Sequence, residues 1–359
     1  MNEAPPAETF SSRPPLDEAG AGPRWIVVAF FLQAAAGVAS LRVLVLAAAG
    51  LVLAEGVGGV LSPPVWDTTI NAEARSLEPS SLWRQFEESW SQQVGLPRSI
   101  ATPLAASPLL TKSDLWSIAA GVWRLVVWGL FGSAIALVAA SHMAFADRPT
   151  LTTAMRHAAA QWSSLVAGPT VLLTLAGVGA TIVWLAGYVS RVELLGWPIA
   201  LLWPVVGLVA LASGLCLIAA VAGAPFFWAA WAVDRADGFD AVSTGVAYLY
   251  QRPLRLAAYS LQAMAVGAAA GVLVAGVAGV VLAACEVWFA GLNQGAGAST
   301  PASIASFWYD LLASAPAVFH AAYFWFAAVG VYLLMRRDID EKQCDEIYVE
   351  GNSPSPDAA

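Results

Sequence analysis

Six long apolar stretches constrain what this chain can fold into more than any other feature. They run from about Leu41 to Leu61, Trp116 to Ser141, Leu165 to Val189, Pro198 to Val233, Ala257 to Val287 and Ala315 to Met335. About 20 apolar residues in a helix cross the ~30 Å hydrocarbon core of a bilayer. The composition agrees. Of 359 residues, 58% are hydrophobic and 12% charged, whereas soluble domains run near 45–50% apolar and about 25% charged. An all-α integral membrane protein with six transmembrane helices is expected. A disordered chain, a disulfide scaffold and an ordinary soluble enzyme are excluded. Cys216 and Cys285 lie in apolar runs and Cys344 near the end, without a CxxC pair. They read as small hydrophobes.

Residues 1–23 form a polar tail lacking the features of a cleavable signal. The membrane domain follows at 24–337, with a polar loop at 62–115, and an acidic tail occupies 338–359. The formal charge of −8 comes from these polar stretches. No basic stripe for nucleic acid is present. Lys and Arg set the orientation of a polytopic chain. With the N-terminus cytoplasmic, the inner side collects Arg13, Arg24, Arg42, Arg148, Arg156, Arg235, Arg252, Arg255, Arg336, Arg337 and Lys342. The outer side keeps Arg191 and the positive charges of the 62–115 loop. Both termini are therefore expected in the cytoplasm of a bacterial inner membrane. Trp116, Trp123, Trp184, Trp197, Trp288 and Trp308 fall where an outer aromatic belt belongs.

Trp25–Ala39 is apolar but reaches only about 22 Å as a helix, so it reads as an interfacial or re-entrant helix on the inner side. Two further short helices are expected, at Asp147–Trp162 and Asp237–Arg252, with Thr150 and Asp240 as N-caps. Each short helix precedes a pair of spans. Three parallel helix-plus-hairpin repeats account for this order, as do plain amphipathic linkers between hairpins. Pro204 and Pro225 should bend the fourth stretch, or Pro225 should separate a span from an interfacial Phe226–Val233 segment.

Charges inside spans need partners. Glu55 and Arg124 sit at similar depth in antiparallel spans, which predicts an ion pair; the alternative is that both reach the outer headgroups. Asp234, Asp237 and Asp240 with Arg252 mark the loop between the fourth and fifth spans. Three acids so close together raise a metal site, but the alternation and distal Glu of an EF-hand are missing. The segment also opens like the CDP-alcohol phosphatidyltransferase motif, D-x-x-D-G-x-x-A, yet Val242 follows where that family has Arg, and no later Asp completes it. Capping, turn formation and charge offset by Arg235 or Arg252 suffice for these residues. No P-loop, GxSxG or HExxH motif is present, so no catalytic residue, metal or cofactor is expected. Gly267 and Gly271 form a GxxxG suited to close helix packing, within the chain or, as the alternative, between two copies.

The pieces AVDRADGFDAVSTGVAYLYQRPLRL, WRLVVWGLFGSAIALVAA and MRRDIDEKQCDEIYVE resemble a family of uncharacterised polytopic membrane proteins of planctomycete type, departing in VSTGVAYLY. The short-helix-plus-hairpin pattern is also similar to the membrane domain of some glycerophosphodiester phosphodiesterases. These resemblances imply a helical membrane protein and bring no activity with them. The expected role is a non-enzymatic membrane component that organises or partners other membrane machinery, in contact with membrane lipids. A transporter or channel for a small solute or lipid is the alternative, and a membrane enzyme of lipid metabolism a lesser one.

Overall fold

Every apolar stretch of the sequence is helical in the computed structural model, which describes residues 24–61, 112–144, 149–289 and 311–342. The helices are α1 (Arg24–Val38), α2 (Leu41–Leu61), α3 (Lys112–Met143), α4 (Leu151–Ala160), α5 (Trp162–Val189), α6 (Glu193–Leu201), α7 (Trp203–Asp234), α8 (Gly238–Gln251), α9 (Pro253–Phe289) and α10 (Ala315–Asp340). Among the described residues there is no strand. Five helices, α3, α5, α7, α9 and α10, are each long and apolar enough to cross a membrane. Among the described residues a sixth crossing exists only if α1 and α2, bent by 76° at their junction, are taken together. The chain is a multi-pass membrane protein by this measure. In α1, Phe31, Ala34 and Val38 are fully buried. One face of the helix is therefore packed on α3, α9 and α10, while Val28 and Leu32 on its other face are exposed.

The fourth apolar stretch breaks beside Pro204, as expected, and not at Pro225. The chain interrupts at Leu202, between α6 and α7, and α7 then runs unbroken through Pro225 to Asp234. Pro204 falls in the first turn of α7, where no intrahelical N–H bond is lost. At Pro225 one such bond is lost, but the flanking turns are held by neighbours, as membrane helices allow. Phe226–Val233 is consequently buried core and not an interfacial segment.

A short helix leading into two long ones occurs three times: α1–α2–α3, α4–α5–α7 (with α6 interposed) and α8–α9–α10. Thr150 caps α4, its side chain accepting from Thr153 N. Asp237 caps α8, accepting from Phe239 N and Asp240 N at 2.9 Å each. This corrects the expectation that Asp240 is the cap. Aligning the two true caps lines up the sequences Asp147-Arg148-Pro149-Thr150 and Asp234-Arg235-Ala236-Asp237, a register that the Asp240 assignment obscured.

The last helix is the centre of the molecule. α10 packs on α1, α2, α3, α7 and α9, and 94% of its apolar window is buried, against 17% for α5 and 11% for α7. Successive residues of a helix point about 100° apart, so its run Tyr323-Phe324-Trp325-Phe326 sends rings to different neighbours. Tyr323 lies on Gly267 of α9 and donates its hydroxyl to Ala263 O at 2.8 Å. Trp325 lies on Gly132 of α3, with its ring 6.1 Å from Trp128 and 4.9 Å from Trp228 of α7. Phe326 sits on Gly37 of α1, its ring 6.0 Å from His142. His320 rests on Gly271. The GxxxG of α9 is thus an internal seat for Tyr323 and His320.

This seat makes a prediction. Gly271→Val places methyl groups into the His320 ring and should cost about 1–3 kcal/mol. Gly276→Val, on the same helix but with nothing within 4 Å of where its Cβ would stand, should be near neutral. Thermal unfolding of the two variants in the same detergent measures the difference.

Candidate functional site

The richest polar cluster among the described residues forms where α7 ends, α8 crosses, α9 begins and α10 leaves the apolar layer. Charge is expensive inside the hydrocarbon and cheap at its edge, which is why these helices become polar at this level. On α10 the residues Tyr332, Arg336 and Asp340 recur at intervals of four, so they share one stripe. Arg336 Nη2 lies 2.8 Å from Asp234 Oδ1, the two side chains being 7% and 25% exposed. Tyr332 donates its hydroxyl to the other oxygen of Asp234 at 2.6 Å. Further along, Tyr248 of α8 donates to Asp340 Oδ2, and its ring lies 5.4 Å from that of Tyr332. Burial, then the adjacent Asp340, push the Tyr248 phenol above its ordinary range. It therefore stays protonated and remains a donor.

Asp338 serves α9. It accepts from Arg255 Nη1 at 2.7 Å and from the Tyr259 hydroxyl at 2.8 Å, and Arg337 Nε stands 3.7 Å away. Arg255 and Tyr259 are again four apart on one helix. The end of α10 is thus fastened to α7, α8 and α9 through carboxylates that each accept from tyrosine and, for Asp234 and Asp338, from arginine as well. Next to this latch Arg235 closes α7 with φ 54°, its guanidinium 5.4 Å from the centre of the Trp231 ring. Trp231 N–H bonds Gln161 Oε1, and Trp228 N–H bonds Leu165 O at 3.1 Å. Both bonds tie α7 to the start of α5.

The three loop acids part company. Asp234 belongs to the latch, Asp237 is a cap and Asp240 is exposed in the first turn of α8. No group of three His, Cys, Asp or Glu residues able to hold a metal occurs among the described residues. Arg252 is exposed at the C-cap of α8 and does not offset Asp234, a role that Arg336 fills. Arg124 is half-buried on α3. Beside it Trp123 N–H bonds Leu53 O at 2.9 Å, which ties α2 to α3 near Arg124; the side chain of Glu55 lies outside the described residues. Between Leu165, Gly168, Phe227, Trp231 and Gly238 runs a cleft with room for about one water molecule.

Sequence reasoning missed Tyr248, Arg255, Tyr259, Tyr332, Arg336, Asp338 and Asp340 as a cluster. The signal was there in the four-residue spacings. Placing the boundary of the acidic tail at 338 cut α10 inside its last turns and assigned Asp338 and Asp340 to the tail. The cap corrected above also yields a test. Asp237→Ala should cost about 1 kcal/mol and speed hydrogen exchange in the first turn of α8, whereas Asp240→Ala should do neither. Among known proteins, the chain matches no family model, no curated protein and no solved structure.

Proposed function

We propose that this multi-pass membrane protein is a non-enzymatic component that organises or partners other membrane machinery. One observation carries the reading. The centre of the bundle is occupied by α10 and filled by Trp128, Trp228 and Trp325. A carrier places its binding site near mid-membrane, at broken helices lined with polar groups. Here the centre of the bundle is filled by interlocked aromatic rings, α7 runs unbroken through Pro225, and the bent pair α1–α2 buries Phe31, Ala34 and Val38 against its neighbours. The carboxylates of the latch, each already met by arginine or tyrosine, are spent on fastening helices, which supports a scaffold over a catalyst.

The α5–α7 hairpin supplies the surface for partners. Val171, Leu175 and Val178 on one helix and Leu208, Leu211 and Leu215 on the other are all more than half exposed. They present an apolar flank within the bilayer, where packing and small polar contacts hold helices together. Cross-linking in the source membrane, followed by mild extraction and native mass spectrometry, tests the role. A partner protein at fixed stoichiometry is expected. A chain that comes out alone in every extraction overturns the reading, and a retained solute would make it a carrier.

A further inference from the structure

We propose that the elbow joining α8 to α9 is a site for the headgroup and one acyl chain of an anionic phospholipid. The inference does not depend on the organising role, only on the chain lying in a membrane.

The elbow reads Tyr250-Gln251-Arg252-Pro253-Leu254-Arg255. Tyr250 is 70% and Leu254 85% exposed, and both arginines face outward. The apolar span of α9 begins at Pro253, so this segment stands at headgroup depth, where arginine and tyrosine are favoured. Arg255 is held from behind. Asp338, itself anchored by Tyr259, takes Nη1 at 2.7 Å, while the Arg255 side chain remains 56% exposed. A guanidinium carries five N–H donors, so those on the open side are available to a phosphate and already oriented. Arg252 adds a second guanidinium with no ion pair to a described residue.

Below the arginines the surface changes to fit a hydrocarbon chain. Leu254, Leu261, Ala265 and Val272 follow at offsets of 7, 11 and 18 residues, which returns each to one stripe of the helix. All four are exposed, with Leu261 at 68%. Phosphate binders thus stand at the polar end of an aliphatic track, with Arg255 one residue round the helix from it. Asp338 offsets Arg255, and Arg252 leaves the elbow with net positive charge. That balance favours an anionic headgroup over a zwitterionic one.

The test uses the purified full chain in detergent, titrated with dioleoyl phosphatidylglycerol or dioleoyl phosphatidylcholine and read by native mass spectrometry. Tighter retention of phosphatidylglycerol is expected. Arg252→Gln should reduce that preference about fivefold, with its thermal unfolding unchanged, and Arg252→Lys should restore most of it. Leu261→Gln should weaken both lipids alike. Arg156→Gln, an exposed arginine of α4, should leave the preference intact. The proposal falls if Arg252→Gln keeps the preference, or if Arg156→Gln loses as much, since charge would then act diffusely. It also falls if inorganic phosphate at equal concentration displaces the lipid, which would make the site one for free phosphate.

Discussion

Trp325→Ala should remove about 3–5 kcal/mol of stability, seen as a large fall in the unfolding midpoint in detergent. The ring is fully buried where α3, α7 and α10 meet. It fits against the bare backbone of Gly132, between Trp128 and Trp228. Both flanking indoles are themselves buried, and Trp228 is held by its bond to Leu165 O, so the void closes poorly. Trp325→Phe should cost much less. It keeps a ring in the same space, and the Trp325 N–H has no hydrogen-bond partner among the described residues, so no bond is lost. Equal losses for Ala and Phe would mean that the cavity is not what matters.

Breaking the latch should be the second large effect. Arg336→Met leaves Asp234 with the Tyr332 hydroxyl as its remaining described partner. Removing one member of a buried pair typically costs about 3–5 kcal/mol, while replacing both with apolar residues is often neutral or better. The lower end applies here, because the Asp234 side chain is 25% exposed. Asp234→Leu combined with Arg336→Met should therefore recover most of what Arg336→Met alone loses. Denaturant titration of the two single variants and the double variant measures the coupling. Additive losses would show that the two residues act separately.

The difference between these two sites and the rest of the molecule shows where the sequence stops being informative. Spans and short helices are legible because hydropathy and capping act along the chain. Leu41–Leu61 is helical over the residues its apolar run predicts, and Thr150 caps the helix it precedes. Asp234, Asp237 and Asp240 were not separable in the same way. All three fall within seven residues of sequence, and only the arrival of Arg336 and Tyr332, about a hundred residues later, assigns Asp234 to a different task from its neighbours.

The apolar helices divide along the same line. By itself the sequence determined that this protein is helical, that it carries several membrane-crossing segments and that short helices separate their pairs. Those properties follow from the cost of unsatisfied backbone and charge in hydrocarbon, which each segment meets alone. Only the tertiary structure decided that α10 is the hub and that α5 and α7 face outward over much of their length. Lipid tails and protein cores are equally apolar, so a buried helix and a lipid-facing one carry nearly the same composition. The difference between 94% and 11% burial is set by neighbours that hydropathy does not name.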